Sequence, residues 1–229
     1  MMNEEQQAKQ HAGYYAADLV EEGMTVGLGT GSTVFFAMER LSERISGGLS
    51  IRGIPTSEQA SLRARAYGIP LTTLSDTPEI DIAIDGADQV DPALQLIKGR
   101  GAAHVRERVV AEAARKLVIV VDGGKLTDVL SAPVPVEVIP FAASIVSARI
   151  GDMGGKCVLR EGVKKDGPVV TDNGNWILDC SFGAIQKPAA LEACINNLAG
   201  VLGCGLFSEF QSKTIVVVGE PGGVRLLSG

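Results

Sequence analysis

IDIAIDGADQVDPALQLIKGRGAAHVRE, residues 80–107, is the stretch from which the fold can be read. Its first six residues are a strand-like apolar run ending in Asp85, and Gly86 and Ala87 lead on to a second carboxylate, Asp88. Lys98 stands in a turn rich in glycine, with Gly99, Arg100 and Gly101 after it, and Glu107 opens a helical pattern. Strand, loop and helix in so short a passage are one unit of an alternating chain. Acids, a cation and glycines gathered there point to proton transfer on an oxygen-rich substrate.

The same alternation extends to both sides. Ala12, Ala16, Leu19 and Val20 have helical spacing, with Gly23 as a stop. MTVGLG is a short strand, followed by a helix with Val34, Met38, Leu41 and Ile45 on one face. Residues 49–54 form the next strand. Thr56 and Gln59 have capping-box spacing before a helix that Gly68 ends. Residues 69–74, 80–85 and 94–97 are further strands. Val105, Val109, Val110 and Ala113 make a helical stripe, and residues 117–121 are a buried strand. This order predicts an α/β fold, a Rossmann-like and mostly parallel sheet with helices on both faces. Ligands of such sheets bind beyond the carboxyl ends of the strands. Residues 27–33, 85–88 and 122–125 all follow strand-like runs.

The pattern changes near Ser131. APVPVEVIP suits a crossing strand or linker, and Asp172-Asn173-Gly174-Asn175 is a hairpin signal. A helix follows around 188–198, and KTIVVVGE is again a buried strand that rejoins the first sheet. The expected division is a Rossmann-like catalytic domain, 1–131 with 206–229, and a small α+β, ferredoxin-like domain, 132–205.

Composition narrows the function. A net charge of −6 argues against a nucleic-acid surface, yet a local cluster of amides and lysines can still bind an anionic small substrate. No signal peptide is visible, and no apolar run reaches the roughly 20 residues that span a bilayer. The four cysteines have no CxxC spacing and the two histidines are far apart, so a cytoplasmic protein without metal or cofactor is expected.

The turn 27–33, GLGTGST, joins a strand to a helix, where free N–H groups and Ser32 and Thr33 hydroxyls can hold an anion. Ser32 stands where a dinucleotide fingerprint needs its last glycine, so a phosphate monoester fits better. A plain βα turn with Ser32 or Thr33 capping the helix fits as well. Asp85 and Asp88 read equally as turn formers or as a carboxylate pair whose proton affinities are pushed apart. Lys98 reads as a surface charge or an oxyanion partner. Glu107, within RER, reads as a solvated helix face, and Lys125, in DGGK, as a loop lysine or a phosphate contact.

Together GTGST (29–33), TSEQA (56–60), DGAD (85–88), KGRGAA…RE (98–107), Lys125, PVPVEVIPFA (133–142) and VTDNGNWILD (170–179) resemble ribose-5-phosphate isomerase of the A type, in its order and spacing over nearly the whole chain. The resemblance implies a metal-independent aldose–ketose isomerase of the pentose phosphate pathway, homodimeric or homotetrameric. It implies substrate binding by Thr30, Gly31, Ser32, Thr33, residues 85–88, residues 98–101 and Lys125. Asp85 and Asp88 would handle ring opening and hydroxyl protons, Lys98 the enediolate, and Glu107 the carbon-bound proton. Lys9 stands where the family often has a phosphate-binding lysine. Gln89, Arg100 and Val105 depart from the family's usual Glu, Gly and Thr. The competing readings are a non-catalytic sugar-phosphate sensor and, less favoured by the broken fingerprint, a nicotinamide-dependent oxidoreductase.

Overall fold

The structure, a computed structural model, describes residues 2–229. Its elements are α1 (Glu4–Asp18), β1 (Thr25–Leu28), α2 (Ser32–Ser46), β2 (Arg52–Pro55), α3 (Glu58–Ala66), β3 (Ile80–Asp85), β4 (Gln89–Val90), β5 (Leu96–Ile97), α4 (His104–Ala113) and β6 (Ala114–Asp122). They continue with β7 (Val134–Val138), α5 (Ala143–Asp152), β8 (Lys156–Leu159), β9 (Trp176–Ser181), α6 (Pro188–Asn196), β10 (Val201–Cys204), β11 (Leu206–Phe207), β12 (Thr214–Glu220) and β13 (Gly223–Ser228). No described helix is long and apolar enough to cross a membrane.

Two compact units emerge. The first takes the chain up to Ala87, Arg106–Leu126 and Phe210–Gly229. Its six-stranded sheet has the order β13-β12-β6-β3-β1-β2, and every pairing except β12 with β13 is parallel. Strands β1 and β3 and the last half of β6 are buried almost without a break, because helices cover a parallel sheet on both faces. Close helix packing needs glycine at two places. A Cβ on Gly13 of α1 would lie 2.8 Å from the Thr33 carbonyl at the start of α2. One on Gly219 of β12 would lie 1.9 Å from the Ala8 carbonyl of α1. These contacts fix the start of α2 and the first turns of α1 against the sheet.

The second unit takes Asp88–Val105 and Thr127–Glu209. Its antiparallel sheet, order β10-β7-β9-β8, carries α5 and α6 in β-α-β-β-α-β connectivity, the ferredoxin-like arrangement. A three-stranded sheet, β11-β5-β4, stands beside it in the same unit. That small sheet is why 88–105 groups here and not with the parallel sheet: β4 pairs with β5 and β5 with β11, neither of them with β3.

Four local expectations need correction. Residues 69–74 form no strand; Pro70 lacks an N–H, only Leu71 bridges Gly53, and Thr73 turns the chain through its hydroxyl bond to Asp76. The cap of α3 is Ser57, whose hydroxyl accepts from the Ala60 amide at 3.0 Å, not Thr56. Of 94–97 only Leu96 and Ile97 are strand, and Leu94 has φ 58°. In α4, Val109 is 47% exposed; the buried positions are His104, Glu107, Val110 and Ala111.

Candidate functional site

In the first unit, β1, β3 and β6 are adjacent and parallel, so the turns after Leu28, Asp85 and Asp122 leave the sheet at one edge. The glycine turn there holds no side-chain cap. Gly31, with φ 140°, is the N-cap of α2, and the capping role considered for Ser32 or Thr33 is not taken by either. The first amides of α2 thus carry no side-chain cap, the arrangement in which a helix start can accept an anion. Thr33 is buried and Ser32 exposed. The Thr30 hydroxyl lies 2.6 Å from that of Ser57 and 3.2 Å from that of Thr56, so the turn is tied to the start of α3.

Asp85 is buried at the end of β3 and accepts from the Gly86 amide at 2.8 Å. Its carboxylate passes so close to Gly29 that a Cβ there would lie 2.2 Å from Oδ1. Gly29 is therefore set by the approach of an acid. Glu107 is 5% exposed and lies in the first turn of α4, so the solvated-face reading does not hold. Helix α4 runs back along the sheet to the start of β6, with Val110 packed where a Cβ on Gly27 would lie at 2.5 Å. Glu107, one turn earlier, stands toward the edge where β3 ends. Arg106 beside it pairs with Glu58 of α3 at 3.2 Å.

Lys125 ends a 3-10 turn, Gly123–Lys125, capped by Asp122 through the Gly124 amide at 3.0 Å. Lys9 comes to the same place by another route. Gly219, against which Ala8 packs, pairs with Asp122. Lys9 pairs with Glu5, and its ammonium holds the Glu5 carboxyl below the usual carboxylate range, with Lys125 adding to the effect. Two lysines therefore flank one exposed carboxylate at this sheet edge.

The second unit carries Asp88 and residues 98–101. The Arg100 amide donates to Asp88 Oδ2 at 3.0 Å, and its guanidinium, 82% exposed, lies 3.8 Å from Oδ1. Lys98 is 3% exposed, its amide donates to the Gly205 carbonyl at 2.8 Å, and its ammonium stands 5.5 Å over the Phe207 ring. Burying an ammonium is costly without partners, and an aromatic face is one such partner. Gly99, at φ 103°, leaves room for the His104 ring, which a Cβ would meet at 2.8 Å. Gln89 explains its own departure: its amide oxygen accepts from the Ser131 and Ala132 amides at 2.8 and 2.9 Å, an acceptor role that a carboxylate fills equally. Val105 lies against Gly203, where a Cβ would meet it at 3.2 Å.

Sequence reasoning assigned no role to Ser57, His104, Phe207, Arg160 or Asp179. Arg160 stands outside the quoted motifs, and Asp179 closes VTDNGNWILD without a role of its own being read there. The Ser57 signal is present in TSEQA, where the capping-box spacing of Thr56 and Gln59 points one residue too early.

A family model described as ribose 5-phosphate isomerase A (phosphoriboisomerase A) matches residues 52–223. The ribose-5-phosphate isomerase A of Methanoregula boonei is 55% identical over 213 residues, 93% of this chain and 90% of that protein. That of Thermosynechococcus vestitus is 52% identical over 218 residues, 93% and 92%. Among solved structures, a D-ribose-5-phosphate isomerase in complex with phospho-erythronic acid superposes with TM-score 0.94 at 43% identity, covering 100% of both chains. The Methanocaldococcus jannaschii ribose 5-phosphate isomerase A superposes with TM-score 0.92 at 42% identity, covering 97% and 98%. With its α/β core, its second sheet unit and relatives of this identity over nearly full length, the chain belongs to the ribose 5-phosphate isomerase A family and is an isomerase.

Proposed function

We propose that this isomerase interconverts D-ribose 5-phosphate and D-ribulose 5-phosphate through an enediolate, in the non-oxidative branch of the pentose phosphate pathway. The observation that carries the residue roles is Glu107: a carboxylate 5% exposed, on a helix that brings it toward the edge where the phosphate-type turn also opens. The C2 proton becomes acidic only in the open-chain aldehyde. Asp85 and Asp88 exchange the hydroxyl protons of ring opening. Glu107 takes the proton from C2, the electrons move onto the carbonyl oxygen, and Lys98 stabilises the charge that develops there. Asp85 or Asp88 then carries the hydroxyl proton from O2 to O1, and Glu107 returns its proton to C1, leaving an alcohol at C1 and the ketone at C2. The amides and hydroxyls of Thr30, Gly31, Ser32 and Thr33, with Lys125 and Lys9, bind the phosphate, and residues 86–87 and 99–101 shape the sugar site. General-base and electrostatic contributions of roughly 10²–10⁴-fold and 10²–10³-fold are what such groups supply.

The reading extends to setting. The chain works in the cytoplasm as a homodimer or homotetramer, supported by Phe141, 98% exposed, with Ile139 and Ile145 exposed nearby in the second unit. The sensor alternative is not favoured, because a domain that only binds has no need of a buried Glu107 and a buried Lys98. The test is formation of ribulose 5-phosphate from ribose 5-phosphate in the presence of a chelator. Turnover is expected; none under those conditions would overturn the reading.

A further inference from the structure

Within the second unit, one arginine holds the turn that carries Lys98. Arg160 follows β8, and its amide donates to the Ile177 carbonyl of β9 at 2.9 Å. Asp179 is therefore its diagonal neighbour across the strand pair, within reach of a long side chain. Nε donates to Asp179 Oδ2 at 2.8 Å and Nη2 to Oδ1 at 2.5 Å, a two-point carboxylate pair. The outer nitrogen, Nη1, donates to two successive carbonyls, Gly99 at 3.1 Å and Arg100 at 2.9 Å. The positive φ of Gly99 belongs to the same turn. The amide of Arg100, in the turn so held, donates to Asp88 at 3.0 Å, and the residue before the clamp is Lys98.

The geometry of the group matters. A guanidinium can spend one edge on a carboxylate and still offer a nitrogen to two carbonyls, which a lysine ammonium on its flexible stem does not reproduce. Both side chains are mostly shielded, at 17% and 30% exposure, so the pair is not one of the screened surface bridges that contribute little. A tie serving only stability needs one carbonyl anywhere along the loop. This one takes the two consecutive carbonyls that follow the oxyanion lysine, those of Gly99 and of Arg100, the residue whose amide binds the second aspartate.

We propose that Arg160, itself fixed by Asp179, is a positioning residue for the isomerisation: it sets the 98–101 turn so that Lys98 and Asp88 are aimed correctly. The inference rests on the isomerase reading above. Misplacing such groups by about 1 Å costs on the order of 10²-fold in rate.

The test is steady-state kinetics of Arg160→Met, Arg160→Lys and Asp179→Asn with ribose 5-phosphate, with amide hydrogen exchange across residues 97–101. Arg160→Met is expected to lose kcat on the order of 10²-fold with KM nearly unchanged, and to regain part of it in millimolar methylguanidinium. Arg160→Lys should recover little. Asp179→Asn, which leaves the guanidinium in place, should lose less. The Arg100 amide should exchange faster in Arg160→Met. Unchanged kcat in Arg160→Met, or a loss that follows thermal stability alone and is not rescued by methylguanidinium, overturns the proposal. Should the unmodified chain fail to turn over ribose 5-phosphate, the isomerase reading falls by itself. The Arg100 amide then decides the clamp, with unchanged exchange overturning it.

Discussion

The two units hold their chemistry by different means. In the first, the backbone does most of the placing: adjacent parallel strands stop at one edge, Gly29 lets a carboxylate come close, and Gly31 starts α2 without a side-chain cap. In the second, side chains do it. Gln89 accepts from two amides, Arg160 donates to two carbonyls, and Glu137, fully buried, accepts from Thr171, Asn173 and Asn175 at 2.8–3.0 Å. A site built on strand ends is set by topology, and any change there must respect space. A site built on loops depends on named hydrogen bonds, and each can be removed singly.

Substitutions can break or sharpen this contrast. The largest effect outside the base itself is expected for Lys98→Met, which keeps an unbranched apolar stem but removes the ammonium that stands over Phe207; kcat/KM for ribose 5-phosphate should fall roughly 10²–10³-fold. Gly29→Ala should follow, with kcat lower by on the order of 10²-fold and the protein destabilised by about 1–3 kcal/mol, since the new Cβ would also lie 2.8 Å from the Asp85 Cα and no rotamer relieves that. Kinetics and thermal unfolding check both terms; an active, stable Gly29→Ala would show that the sheet edge is looser than described. Gln89→Leu should cost about 1 kcal/mol in stability by stranding two amides, whereas Gln89→Glu should be near neutral in denaturant unfolding. The smallest effect is expected for Glu5→Gln. Removing the carboxylate that competes for Lys9 should lower KM for ribose 5-phosphate by about twofold at low salt, and the difference should vanish as salt is raised.

The contrast also accounts for what could be read from the sequence. The parallel sheet was legible because its strands are uniform apolar runs and its turns are glycine-rich; β1, β3, β6 and β12 stand where periodicity puts them. The second unit was harder. Strands β4, β5 and β11 have two residues each, too short for alternation to register, and their pairing regroups 88–105. The stripe of α4 was misplaced because two of its buried positions are His104 and Glu107, which a count of apolar residues passes over. The same substitution of chemistry for hydrophobicity that hid the stripe is what marks Glu107. Arg160 was invisible for another reason: it acts on a turn some 60 residues upstream in the chain, and nothing local announces it, nor that Asp179 holds Arg160.

The most direct test is Glu107→Gln, assayed for turnover and for ribose 5-phosphate binding in one preparation. Glutamine keeps the shape of the buried side chain and cannot take a proton. The account predicts turnover lower by on the order of 10³-fold or more with binding within a few-fold of the unmodified protein. Turnover retained at near the original rate would contradict it and place the base elsewhere.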